Sequence, residues 1–225
     1  LRHSSGGRIQ TRSRTLFVEA LRAISFTAEE GDRIGVIGLN GAGKSTLLRA
    51  IAGIFQPTGG QLRVTGRVAP LLALGVGMYD DASGWENIRN CGLQHGMSSA
   101  EIAAKQNEIA AFTELGDYLH LPLYTYSSGM RMRLSYAVAT AMDSEILVLD
   151  EVASTGDISF QEKAQQRFTD MVSRTKIVFL ATHDIGWMRK ICSKVILLSE
   201  GRLLEFGPAA DVLEIYINCD GRLGT

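Results

Sequence analysis

Residues Arg33 to Gly53 read "RIGVIGLNGAGKSTLLRAIAG", and the order of residue types in this stretch decides the fold. "RIGVIG" is a short apolar run, the pattern of a strand buried on both faces of a parallel sheet. "TLLRAIAG" has helical spacing and stops at Gly53, a residue suited to a helix end. Between them, Gly38 to Ser45 fit G-x-x-x-x-G-K-[ST] in full. Strand, glycine loop and helix in direct succession open an α/β core.

The loop's chemistry follows from its residue types. Glycines let backbone N–H groups curl around phosphate oxygens. The helix behind them adds the positive end of its dipole. Lys44 can reach β- and γ-phosphates, and the Ser45 hydroxyl can ligate Mg²⁺. The nucleotide-binding set is therefore Gly38, Leu39, Asn40, Gly41, Ala42, Gly43, Lys44, Ser45 and Thr46. By itself the motif does not separate kinases, GTPases, recombinases and transport ATPases.

Upstream, "LRHSSGGRIQTRSR" (Leu1 to Arg14) is polar and basic without an apolar period. It reads as a flexible or partner-binding arm over 1–15, and the body of the domain spans 16–225. Alternation from Leu16 to Ala28 predicts two short strands. Downstream, "QPTGG" is a turn, and "QLRVTGRVAPLL" (Gln61 to Leu72) predicts two more strands. From Ser83 to about Met142 the pattern turns helical. Ser83 with Glu86, and Ser98 with Glu101, have capping-box spacing. Strand and helix then alternate again: "EILVLD", a helix from about Ile158, "KIVFLAT", a helix from Asp184, and "SKVILLSEGRLLEF" as a hairpin. Pro208 suits the first position of a last helix. The fold class is α/β: a P-loop NTPase (RecA-like) core with a small antiparallel β subdomain and an inserted helical subdomain over about 80–140.

Composition narrows the function. The 225 residues carry a formal net charge of −1 and are 45 % apolar, so no global basic field points to nucleic acid. Cys91, Cys192 and Cys219 form no metal-type pair and read as buried or idle thiols. No apolar run nears the roughly 18 residues of a membrane span, so work at a membrane requires a partner. The chain begins at Leu1 instead of Met, which leaves room for residues upstream.

Two further strand ends add chemistry. "ILVLDE" (Ile146 to Glu151) is a buried-type strand with Asp150 at its carboxyl end, where open α/β sheets bind ligands and where Asp150 can hold Mg²⁺ through water. Glu151, one residue on, suits a base that polarises attacking water. His183, in "FLATHD", follows another apolar strand and is aimed at the same edge, in reach of a γ-phosphate. "YSSGMRMRL" (Tyr126 to Leu134) is a second anion-friendly helix start, far along the chain from the first. Ser128 and Gly129 offer a hydroxyl, N–H groups and a dipole there, although a plain helix cap uses the same residues.

With "GLNGAGKS", "SSGMR", "ILVLDE" and "ATHD" in this order, the chain resembles the ATP-binding cassette family from about Leu16 to Pro208. The resemblance implies a head-to-tail homodimer that binds two ATP, with Mg²⁺. In it the signature of one chain (Ser127, Ser128, Gly129) caps the γ-phosphate held by Lys44 of the other. It makes Glu151, His183 and Lys44 catalytic, Ser45 and Asp150 the Mg²⁺ ligands, and "VASTGD" the loop between subunits, ending at Asp157. The family's adenine-stacking aromatic has Phe17 as its nearest candidate, which core packing would equally explain.

"GRVAPLLALG", "WENI", "ELGDYLHLP", "YSSGMRMRL" and "VASTGD" are similar to the ATPases of polysaccharide exporters, which move O-antigen, capsule or teichoic-acid chains. That likeness implies an integral membrane permease as partner, docking near Ala73–Trp85 and the helical insert. It implies a glycan or glycolipid substrate handled mainly by the permease, and a place on the cytoplasmic face of the cytoplasmic membrane. Two features depart from the pattern. Ala73 stands where most cassettes have a glutamine, and the carbohydrate-binding domain of some exporters is not in the chain as given. Rival readings are a cassette ATPase for another solute, a soluble cassette ATPase of DNA repair or translation, a GTPase, and an inactive scaffold. Fused cassettes, long coiled-coil inserts and an N-K-x-D-like guanine reader are not found in the sequence, and Lys44, Glu151 and His183 are intact.

Overall fold

The computed structural model describes residues 8–12, 15–72, 75, 77–150 and 158–219. Ala73, Glu151 and Asp157 lie outside these. The chain divides into two compact units. One gathers 1–68, 146–151 and 176–225; the other gathers 69–145 and 152–175.

The first unit is built on the predicted apolar runs. Strands β3 (Arg33–Ile37), β5 (Ile146–Asp150), β6 (Ile177–Ala181) and β7 (Lys194–Ser199) are almost wholly buried. Continuous apolar strands suit a sheet covered on both faces. Their order is β5-β6-β3-β7, all parallel, and β8 (Arg202–Pro208) then pairs antiparallel with β7. The β7–β8 connection is the two residues Glu200 and Gly201, both at positive φ (45° and 77°). That is the backbone of a hairpin turn whose twist matches its strands. Helix α1 (Lys44–Ile51) follows β3, α6 (Ile185–Ile191) follows β6, and α7 (Ala209–Cys219) follows β8. Gly35 is the close-approach point for α6. A Cβ there would lie 2.7 Å from the sulfur of Met188, which is fully buried.

Several strand expectations change. Arg8–Arg12, placed in the arm by sequence, form β1 and pair antiparallel with β2 (Thr15–Glu19) in a separate ribbon. No second strand follows β2. Phe26 serves packing instead, its ring against Phe179 and Phe206 at 6.1 and 5.7 Å. Of the two strands expected in "QLRVTGRVAPLL", only β4 (Val68–Leu71) forms. Leu62 and Val64 have the right alternation but are exposed and find no partner strand among the described residues. Pro208 ends β8, where it pairs with Lys194, so the last helix starts one residue later.

The second unit is helical: α2 (Gly84–Gln94), α3 (Ser99–Thr113), α4 (Ser128–Ala139) and α5 (Ile158–Arg174), with short 3₁₀ turns at Gly116–His120 and Leu123–Thr125. Both capping boxes are present, Ser83 with Glu86 and Ser98 with Glu101. Helix α5, which the strand–helix alternation places in the core, groups here instead. Its Phe160 packs edge-on against Phe112 and Tyr136, at 5.4 and 6.1 Å. Such pairs add about 0.5–1.5 kcal/mol each beyond burial. The Tyr136 hydroxyl donates to the Ala164 carbonyl at 2.7 Å, and burial pushes its pKa up to about 12.

Cys91 and Cys192 are buried, as expected, and burial pushes their thiols up to about 11 and about 12. Thiolate, the reactive form, is therefore scarce at neutral pH. In the folded chain at pH 8, iodoacetamide should modify both at least about 100-fold more slowly than an ordinary exposed thiol. Both should react at ordinary rates once the chain unfolds. Peptide mapping of the labelled protein reads this directly, and rapid labelling of either residue in the folded chain would contradict it.

Candidate functional site

The first site stands at the carboxyl ends of adjacent strands. In register, Ala181 of β6 lies opposite Val36 of β3 on one side and Asp150 of β5 on the other. The three strands therefore finish level. β3 runs into the glycine loop, β5 ends on Asp150, and β6 runs on to His183. Sequence-predicted groups from three distant segments come to one edge of one sheet, as the topology of an open α/β sheet requires.

The loop is shaped by what its glycines lack. Gly38 has φ 152°, and a Cβ on it would come 2.2 Å from the Leu198 carbonyl oxygen. Gly43 has φ 105°, and a Cβ there would meet the Ala20 carbonyl and the Leu21 side chain, both at 2.9 Å. The backing for the loop thus comes from Ala20, Leu21, Leu198 and the β7–β8 turn. The Gly201 N–H donates to the Ala42 carbonyl at 3.0 Å, and the Arg22 N–H to the Gly201 carbonyl at 2.6 Å. These supporting residues carry no motif. The signal that could have found them is the adjacent Glu200–Gly201 turn in a predicted hairpin.

Gly43 is the N-cap of α1, and no side chain caps the helix. A helix start of this kind presents its first amides and its positive dipole to an anion. Leu39, Asn40 and Gly41 are exposed, while Lys44, Ser45 and Thr46 are half-buried in the first turn. The Lys44 Nζ donates to the carbonyls of Gly38 and Leu39 at 2.8 and 3.2 Å, which holds the ammonium over its own loop. Asp150 is half-buried at its strand end. His183 is exposed in a turn fixed from both sides. The Asp184 N–H donates to Thr182 Oγ1 at 3.1 Å, and Asp184 caps α6 by accepting from the Trp187 N–H at 2.9 Å. Among the described residues no group of three or more His, Cys, Asp or Glu side chains could hold a metal ion. At this edge Ser45 supplies a hydroxyl and Asp150 a carboxylate. Such a pair suits Mg²⁺, which takes one or two protein oxygens and completes its shell with phosphate and water.

The second site belongs to the helical unit. Helix α4 begins at Ser128, but its cap is Ser127, whose hydroxyl accepts from the Met130 N–H at 3.2 Å. The cap reading therefore falls on Ser127, and Ser128 is the first helical residue. Ser127, Ser128 and Gly129 are all exposed. The cap's bond goes to Met130, so the Ser128 and Gly129 amides lie outside it. Ser127 and Gly129 line a pocket of about 300 Å³ with Tyr118, Met130 and Arg133.

Phe17 sits on β2 with half its surface exposed, so core packing does not account for it. Three residues on, Ala20 touches the loop at Gly43, but no contact places the Phe17 ring at the site. Glu151, Asp157 and Ala73 lie outside the described residues.

Comparison with known proteins gives consistent matches. The ABC transporter family model matches residues 21–154. The O-antigen export system ATP-binding protein RfbE of Yersinia enterocolitica is 47 % identical over 206 residues, covering 91 % of this chain and 86 % of that protein. The teichoic acids export ATP-binding protein TagH of Listeria monocytogenes is 36 % identical, covering 88 % of this chain and 58 % of its own longer chain. Two solved structures share the fold. The ATP-binding subunit of an ABC transporter superposes with TM-score 0.73 at 20 % identity over 98 % of both chains. The cassette MJ0796, a post-hydrolysis dimer with ADP and phosphate, gives 0.68 at 20 % identity over 91 % of this chain and 97 % of its own.

Gly38→Ala tests the loop geometry. The added methyl meets a backbone carbonyl that cannot step aside, so ATP affinity should fall at least about 100-fold and the midpoint of thermal unfolding should drop by several degrees. Calorimetric titration and a melting curve give both numbers. Unchanged affinity with an unchanged midpoint would show that the loop adopts another path.

Proposed function

This chain belongs to the ABC transporter family, and we propose that it is the ATP-hydrolysing subunit that powers export of a polysaccharide or lipid-linked glycan through a separate membrane permease. The single observation that carries the catalytic half is the level finish of β3, β5 and β6, which brings the glycine loop, Asp150 and His183 to one edge. The glycan half is supported by the kinship with O-antigen and teichoic-acid export proteins.

The loop from Gly38 to Thr46 holds the phosphates by backbone N–H groups, and Lys44 exchanges its carbonyl partners for β- and γ-phosphate oxygens. Ser45 and Asp150 would hold Mg²⁺, which would neutralise phosphate charge. Glu151 accepts a proton from the attacking water, and His183 donates to the γ-phosphate. Ser127, Ser128 and Gly129 of a second copy cap that phosphate from the other side, with Asp157 at the contact between copies. Phe17 stacks on the adenine. Closure of the two copies on ATP, then reopening after hydrolysis, is the motion delivered to the permease.

Among the described residues no helix is long and apolar enough to cross a membrane; the export-system names of the relatives support a separate permease. It docks on the helical unit beside Tyr79 and Tyr124, whose rings are largely exposed. The subunit then works at the cytoplasmic face of the cytoplasmic membrane.

Glu151→Gln keeps the shape of the side chain and removes the base. ATP binding should stay within a few-fold, and steady-state turnover should fall by roughly 10²–10⁴-fold. In cells, the same variant should leave finished glycan on the cytoplasmic side, read by its protection from externally added label. Near wild-type hydrolysis would remove Glu151 from the mechanism. Normal glycan export with hydrolysis abolished would remove the transport role.

A further inference from the structure

We propose that Asp80 couples the outer face of the helical unit to the anion-binding start of α4, acting as a positioning residue through Arg131. The coupling to transport rests on the permease reading above, whereas the positioning of α4 does not.

The turn formed by residues 79–83 precedes α2 and is locked to it. Asn87 is fully buried on α2. Its Oδ1 accepts from the Tyr79 N–H at 2.8 Å, and its Nδ2 donates to the carbonyls of Tyr79, Ala82 and Ser83, each at 3.0 Å. Every polar atom of this buried amide is used, so parting it from the turn strands groups with no water to replace their partners. Turn and helix therefore move as one body.

Asp80 joins that body to the chain on both sides of the α4 start. Its backbone carbonyl accepts from the Tyr124 N–H at 2.9 Å. Its carboxylate accepts from Arg131 Nη1 at 2.6 Å. Tyr124 lies three residues before the Ser127 cap, and Arg131 lies four residues after it. The neighbouring Leu123 N–H donates to the Ala82 carbonyl at 2.9 Å, which steadies the same strand-like contact. Ser127, Ser128 and Gly129 are thus carried by a segment held at both ends by one residue.

The pair is partly solvated, with side-chain exposure of 63 % for Asp80 and 36 % for Arg131. Such pairs contribute little to stability, so this contact does not explain the fold of the unit. What it supplies is direction. Tyr79 and Tyr124, on the two segments that Asp80 ties, present 55 % and 63 % of their surface to solvent. Aromatic side chains of this kind anchor partner interfaces. A partner that shifts these rings shifts the turn, and the carboxylate passes the shift to α4.

The test compares the wild type, Asp80→Asn, and the charge-reversed pair Asp80→Arg with Arg131→Asp. In the isolated chain, Asp80→Asn should melt within a few degrees of the wild type. Amide hydrogen exchange at Tyr124, Met130 and Arg131, whose N–H groups are hydrogen-bonded, should quicken about two- to fivefold, the range expected for one exposed pair. With the copurified membrane subunit in nanodiscs, the ratio of MgATP turnover with that subunit to turnover without it should fall by a similar factor. The charge-reversed pair should recover both quantities. Unchanged exchange and an unchanged ratio in a folded Asp80→Asn chain would overturn the proposal, as would a reversed pair no better than the single variant. A wild-type turnover indifferent to the membrane subunit would overturn the permease reading and the coupling with it. The exchange data would then decide the positioning role alone.

Discussion

The structure depends on the close approach of backbone to backbone at the loop between β3 and α1. Gly38 lies against the Leu198 carbonyl, and Gly43 lies against the Ala20 carbonyl. Neither position has room for a side chain. This approach lets the β7–β8 turn hydrogen-bond the loop through Gly201 and Ala42. It aims the uncapped start of α1 along the edge where Asp150 and His183 emerge. Were the loop to stand off by the width of a methyl group, its amides would no longer converge on one anion, because a cradle of N–H groups works only when several donors share one focus. The parallel sheet beneath supplies the rigidity, since its strands are buried and locked in register.

The two helix starts proposed to face nucleotide are held by different local means. At α1 the helix start carries no side-chain cap, and the curl of the loop does the work. At α4 the Ser127 hydroxyl satisfies the third amide, which fixes the entry angle and sets the amides of Ser128 and Gly129 apart from the cap. The first site is shaped by neighbouring backbone. The second is held by Asp80 and the Asn87-locked turn.

Local physics decided how much of this was legible in the sequence. The strands β3, β5, β6 and β7 were legible because full burial demands unbroken apolar runs. Helices α2 and α3 were legible because their capping boxes are local patterns. The glycine loop and the strand-end residues Asp150 and His183 were legible because strand ends of a parallel sheet share one edge. Pairing was not legible where alternation was present without a partner: Leu62 and Val64 alternate yet form no strand, whereas the polar run Arg8–Arg12 pairs with β2. Nor were the bracing contacts, because Leu198, Ala20 and Asp80 act through carbonyls or across long stretches of chain. The placement of α5 with the helical unit was hidden for a similar reason. Its strand–helix alternation matches the core, but its Phe160 packs with Phe112 and Tyr136.

The central claim is that both helix starts serve nucleotide, the loop of one copy facing the α4 start of another. Mixing Lys44→Ala chains with Ser128→Arg chains tests it most directly, once two-colour labelling has confirmed that subunits exchange. Each homodimer has both sites spoiled. In the mixed dimer the two lesions fall on one site and leave the other built from an intact loop and an intact signature. The account predicts that occlusion of about one labelled ATP per mixed dimer returns on mixing. Confirmed exchange with no recovered occlusion would contradict it and would assign Ser128 to its own chain's nucleotide or to none.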